Sequence, residues 1–220
     1  AAKPATAIAV DANITVIDSD ERNWVSRGAH KLIGALDAFG LTVEGRRCLD
    51  AGASTGGFTE VLLDRGAAEV VAVDVGYGQL AWSLRSHPRV AVMERTNVRE
   101  LTAETIGGAV ELVVADLSFI SLATVLPALA ACAGPGADIV PMVKPQFEGG
   151  KDRVGAGGGV ADPALRIDAV CTVARSPGRR AMSSIFCTYA PMLTRPVRGC
   201  TVRRLNARCA VRSRRGRNDT

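Results

Sequence analysis

The chain has 220 residues, 47% of them hydrophobic and only 4% aromatic, so one domain with a full core of Val, Leu, Ile and Ala is expected, with room for a small appendage. No apolar run approaches the ~20 residues that span a bilayer, and no basic stretch followed by an apolar one opens the sequence, which speaks against a spanning or exported protein and favours the cytosol. The net charge of +5 is uneven: from Gly178 onward eleven arginines stand against one acid, Asp219, a balance of +10 that leaves residues 1–177 at −5, so the basic total is no evidence that the globular part binds nucleic acid.

Taken in order, residues 7–10 and 14–17 read as short strands around an Asp11-Ala12-Asn13 turn, and residues 18–23 as a polar linker. Residues 26–39 read as a helix capped by Ser26, with Leu32, Leu36 and Phe39 on one face. Lys31 lies beside that face, where a solvated surface lysine is the plain alternative. Strand and helix patterns then alternate. Strands are expected at 46–51, 69–75, 90–94, 111–116 and 138–145. Helices are expected at 56–66, 79–85, 100–106 and 121–132. A glycine-rich loop at 149–159 precedes a last helix over 162–175, with Asp162 as cap and Pro163 in its first turn.

Repeated strand–helix units with apolar strands predict an α/β, Rossmann-like, mostly parallel sheet covered on both faces. Ligands of such sheets lie outside the carboxyl ends of the strands. Asp50, Asp74, Asn97, Asp116 and Lys144 all fall at strand ends of that kind.

The first strand runs into a small-residue loop, Asp50-Ala51-Gly52-Ala53-Ser54-Thr55-Gly56-Gly57-Phe58, which reads as a ligand cradle. Its glycines suit sharp turns or close approach of backbone to ligand. Glycine-rich turns after strands are common in α/β proteins, but Asp74 follows about twenty residues on, the offset at which an acid meets a ribose diol. The loop lacks the close G-x-G pair of dinucleotide sites, so a cofactor without phosphate fits better. S-adenosylmethionine is the expectation, its amino-acid end on the loop and its ribose at Asp74. Asn97 either contacts the adenosine or is a simple turn residue. The six cysteines form no C-x-x-C pair and the two histidines stand far from them, so neither a metal site nor a disulfide framework is expected.

From Gly178 the strand–helix pattern stops. Residues 178–220 read either as a stretch from a shifted reading frame or as a basic, disordered RNA-binding arm.

Ser26-Arg27-Gly28-Ala29-His30-Lys31-Leu32, the cradle, Ala115-Asp116-Leu117-Ser118-Phe119-Ile120-Ser121 and Val143-Lys144-Pro145-Gln146-Phe147-Glu148 together resemble the TlyA family. Its members are S-adenosylmethionine-dependent ribosomal RNA 2′-O-methyltransferases with an FtsJ-like fold, historically labelled haemolysins. The resemblance implies that residues 1–23 are the remnant of an N-terminal RNA-binding domain, that 24–177 form the methyltransferase domain, and that ribosomal RNA or ribosomal subunits are the partners, without stable membrane association. It implies a Lys-Asp-Lys-Glu catalytic set of which Lys31, Asp116 and Lys144 match the first three. The fourth has no counterpart after Gly178, and Glu148 belongs to a different motif. A lysine takes a proton from a ribose hydroxyl only if burial or cationic neighbours lower its own proton affinity, which an adjacent carboxylate opposes. The competing expectations are a small-molecule methyltransferase, a membrane-active haemolysin and a catalytically impaired chain.

Overall fold

The computed structural model describes residues 23–149, 154–155, 158–176 and the backbone of 186–187. The elements in order are α1 Gly28–Phe39, β1 Arg47–Ala51, α2 Gly57–Asp64, β2 Glu69–Val73, α3 Trp82–Arg85, β3 Val90–Met93, a 3-10 turn Val98–Glu100, β4 Val110–Ala115, α4 Leu122–Cys132, β5 Ala133–Val143, α5 Pro145–Glu148, α6 Pro163–Arg175 and β6 Phe186–Cys187. The strands form one parallel sheet in the order β3-β2-β1-β4-β5-β6. The order reverses between β1 and β4, which opens a crevice above their carboxyl ends.

Side chains alternate across each strand, so the apolar runs feed two cores. Cys48, Val70, Leu112, Val114 and Val140 face α1 and α2, where they meet Ala29, Leu32, Leu36, Val61 and Leu62. Leu49, Val71, Val113 and Ile139 face the other way, against Val125, Leu126 and Leu129 of α4 and Val173 of α6. The buried residues of α4, Leu122, Val125, Leu126, Leu129 and Cys132, recur at helical spacing and define its inward stripe. The expected core of aliphatic residues and the two-faced parallel sheet are thus present.

Three local readings need correction. Residues 100–106 do not form a helix. The hydroxyl of Thr105 accepts from Thr102 N–H at 2.9 Å and that of Thr102 accepts from Thr105 N–H at 3.2 Å, so the side chains occupy groups that a helix would use. The short helix expected from Gln79 begins only at Trp82. The segment after Gly178 does contribute a strand, since Phe186–Cys187 pairs in parallel with Met142 and Val143. The readings of residues 1–22 and of the rest of the tail lie outside the described residues. No helix among the described residues is long and apolar enough to cross a membrane.

Candidate active site

β1 delivers Asp50 on the α1–α2 side of the sheet, fully buried. One of its oxygens, Oδ2, accepts from the Thr59 hydroxyl in α2 at 2.7 Å, while Oδ1 is buried with no partner. Burial pushes the Asp50 carboxyl up to about 7, opposed by the Thr59 bond and assisted by the nearby charges of Asp116 and Asp74. A buried, half-satisfied carboxylate at a strand end invites a cationic or donor group from outside the protein.

The cradle follows. Gly52 and Ala53 N–H both donate to the Val73 carbonyl, at 2.8 and 3.1 Å, which binds the loop to the end of β2. Gly56, at φ 102, is the residue before α2, so the loop hands over to a helix N-terminus. A side chain at Gly56 would enter the space of Leu80 and Leu84. Ser54, at φ 48, donates its N–H to Asp74 Oδ2 at 2.8 Å, and Gly76 N–H donates to Asp74 Oδ1 at 2.7 Å. Asp74 therefore meets the cradle, and each of its oxygens keeps a lone pair for a further donor. Thr55 accepts from Ala81 N–H through its carbonyl. Gly57 and Phe58 face inward: Gly57 packs against Ser26 and Phe58 lies in the α1–α2 core.

Asn97 is placed differently. Its carboxamide oxygen accepts from Arg99 N–H at 3.1 Å as the cap of the 3-10 turn, and its nitrogen donates to Glu100 at 3.4 Å. The acid that directly follows β3 is Glu94. It shares with Ala53, Ser54, Asp74, Gly76 and Gln79 the walls of a small hollow beside the cradle. Arg85 grips both its oxygens, at 2.6 and 2.8 Å, and holds its carboxyl below the ordinary range. The rule that selects Asp50 and Asp74, an acid where a strand stops, also selects Glu94.

The second half of the crevice carries Asp116, one residue past β4, and Lys144, one residue past β5. β4 and β5 are neighbours, with Ala115 paired to Pro141 so that β5 runs two residues further, and the side chains beyond their ends meet: Lys144 Nζ lies 2.7 Å from Asp116 Oδ1. Lys31, from α1, reaches the other oxygen, Oδ2, at 3.4 Å. One carboxylate is thus bracketed by two ammonium groups, a centre of net positive charge open to an anion. Lys144 is the more sheltered cation, with 17% of its side chain exposed against 39% for Lys31. Lys144 also donates to the Ser118 hydroxyl at 2.7 Å. Ser118 was not singled out in the sequence, because nothing in a loop pattern shows which hydroxyl will turn toward a lysine.

Glu148 is occupied elsewhere. Its carboxylate accepts from the Ser121 hydroxyl at 2.6 Å and from Leu122 N–H at 2.8 Å, so it caps α4. This fits its assignment to a different motif. No cluster of potential metal ligands occurs among the described residues.

The family model described as FtsJ-like methyltransferase matches residues 24–197. That range runs past Gly178 into the segment read above as a non-family tail. The chain is 67% identical over 192 residues to the Mycobacterium tuberculosis 16S/23S rRNA (cytidine-2′-O)-methyltransferase TlyA, covering 87% of this chain and 72% of that one. It is 47% identical over 167 residues to the Bacillus subtilis rRNA methyltransferase candidate YqxC, covering 76% of this chain and 59% of that one. Among solved structures, a candidate hemolysin from Streptococcus thermophilus superposes with a TM-score of 0.68 at 43% identity, over 71% of this chain and 57% of that one.

Proposed function

This chain belongs to the FtsJ-like methyltransferase family, and from that premise we propose that it methylates a ribose 2′-hydroxyl of ribosomal RNA at the expense of S-adenosylmethionine. The observation that carries the reading is the Asp116 carboxylate held between Lys31 and Lys144 at the mouth of the crevice that also holds the cradle. A small-molecule methyltransferase needs the cradle but has no use for two cations around one acid beside an open surface.

The residues present fit the cofactor. Gly52, Ala53, Ser54, Thr55 and Gly56 would carry its amino-acid end, the unpartnered Asp50 oxygen would receive its cationic amino group, and Asp74 would accept from the ribose hydroxyls. When bound, S-adenosylmethionine supplies an electrophilic methyl on a sulfonium. The protein's own task is to hold the acceptor hydroxyl in place and to manage its proton. Lys144 lies close enough to Asp116 to be held in one position, and it is the residue we assign to the hydroxyl proton. Lys31, more exposed and on the open side of Asp116, suits the neighbouring phosphate. Positioning the hydroxyl supplies much of the rate in such a site. Glycines 56 and 57 and Phe58 build the loop and its helix rather than touch the acceptor. The cytosol, where ribosomal subunits are found, is the corresponding place of action.

The test is transfer of tritium from labelled S-adenosylmethionine to isolated ribosomal subunits. Methylation of a 2′-hydroxyl blocks alkaline cleavage of the adjacent phosphodiester, so the label should survive in alkali-resistant dinucleotides. Label in single nucleotides would place the methyl on a base and defeat the reading, as would no incorporation at all.

A further inference from the structure

Lys144 has two partners, and they act on it together. An ammonium carries three N–H bonds and a neutral amine carries two plus a lone pair, all at tetrahedral angles. Ser118 Oγ accepts one N–H at 2.7 Å, whereas Asp116 Oδ1, also 2.7 Å away, pairs with the ammonium by charge and accepts no hydrogen bond. With Cε fixed by the chain and one N–H held by Ser118, the other two directions of the nitrogen are set. They carry two protons when Lys144 is charged, and one proton and the lone pair when it is not. The Asp116 charge alone does not set them, because an ion pair without hydrogen-bond alignment leaves rotation about Cε–Nζ free.

We infer that Ser118 is a positioning residue for this reaction: by accepting from Lys144 beside Asp116, it fixes the rotation of the Lys144 amine for the reacting hydroxyl. The inference rests on the reading of Lys144 given above.

Three features of the loop support the assignment. The Ser118 hydroxyl makes no cap among the described residues, since α4 starts four residues later and takes its cap from Ser121. Ser118 stands between Asp116, which binds the same lysine, and Phe119, whose φ of 64 turns the chain sharply. The ion-pair partner and the hydrogen-bond acceptor of Lys144 therefore come from one short, tightly turned piece of backbone, while the lysine comes from the next strand. Finally, Ser118 is exposed at the mouth of the crevice. Water competes for its bond in the free protein, and a docked RNA that excludes water strengthens it when the chemistry occurs.

The experiment compares the parent chain with Ser118→Ala and Ser118→Thr. In single-turnover transfer to ribosomal subunits, Ser118→Ala should lower the rate constant about tenfold, the order expected for one hydrogen bond to a charged group. The RNA concentration at half-maximal rate, the cofactor Kd and the melting temperature should stay at parent values. Ser118→Thr, which keeps the hydroxyl, should restore most of the rate. An unchanged rate in Ser118→Ala, no rescue by threonine, or a fall in melting temperature that accounts for the loss would each overturn the inference.

A second readout separates this inference from the proposed activity. Reductive methylation of the native protein, mapped by mass spectrometry, gives the reactivity of Lys144 relative to Lys31. Loss of the Ser118 bond should raise that ratio several-fold, and threonine should bring it back. If the parent transfers no methyl to RNA, the proposed function fails, yet the ratio still decides whether Ser118 holds Lys144. An unaltered ratio overturns the inference whatever the activity.

Discussion

The α-carbon of Gly52 lies directly against the backbone carbonyl of Asp116. A Cβ on Gly52 would stand 2.9 Å from that oxygen, and the residue sits at φ 88. The proposed cofactor cradle and the proposed catalytic acid are thus in backbone contact across β1 and β4, with no room for even a methyl group between them.

Gly52→Ala should therefore damage both halves of the site. The obstacle is backbone, which cannot swing aside, and the φ is one that L-residues rarely adopt. We expect a loss of about 1–3 kcal/mol in stability together with weakened cofactor binding. A thermal melt and a calorimetric titration of the same preparation check this. Parent-like values in both would mean that the strand ends have slack that the packing does not show.

Lys144→Ala should abolish methyl transfer while leaving cofactor affinity within a few-fold, because its contacts are to Asp116 and Ser118 and none is to the cradle. The check is labelled-methyl incorporation beside a cofactor titration. Turnover that persists would remove Lys144 from the mechanism.

Asp50 makes a prediction about pH. The folded carboxyl keeps its proton up to about 7, against an ordinary value of 3.8. Stability supplied by the neutral form is complete below the ordinary value and is lost as pH rises through about 7. Asp50→Asn has no charge to bury. It should melt close to the parent at about pH 4 and above it at about pH 8, by up to roughly 4 kcal/mol. A difference in Tm that stays flat across this range would show that the carboxyl is not protonated in the fold.

Glu148→Gln separates a structural acid from a catalytic one. The amide can still accept one bond at the start of α4, but it loses the charge that favours a helix N-terminus. We expect a loss of about 0.5–2 kcal/mol in stability and near-parent methyl transfer by the folded fraction. A variant that melts normally but transfers nothing would instead place Glu148 in the chemistry.

Much of this site is legible from strand ends alone. Asp50, Asp74, Asp116 and Lys144 all stand where an apolar run stops, and a parallel sheet brings such positions to one edge. Lys31 does not follow from that rule. It comes from a helix that precedes the sheet, and only the resemblance to a family placed it beside Asp116. Glu94 reads from the sequence as the last residue of the third strand, and Asn97 as the polar group beyond it. Their separation depends on where β3 ends and on the local cap that Asn97 makes with Arg99. Residues 100–106 look helical by composition, yet Thr102 and Thr105 bond each other. The strand at Phe186–Cys187 is too short to carry a pattern of its own, and the open edge of β5 determines its pairing.

The strand order also sets a schedule. β1 and β4 are neighbours in the sheet, but the chain completes β2 and β3 before it returns to β4. Joining them closes a long loop, a slow step in which entropy is lost before contacts compensate. A chain still emerging from its ribosome has the partners for β1–β2 and β2–β3 pairing before β4 and β5 are available. The strands that carry Asp50 and Asp74 can pair first, but Gly52 gains its backing and Asp116 and Lys144 their places only when β4 and β5 dock. On the proposed roles, a copy that stops short of β5 transfers no methyl group.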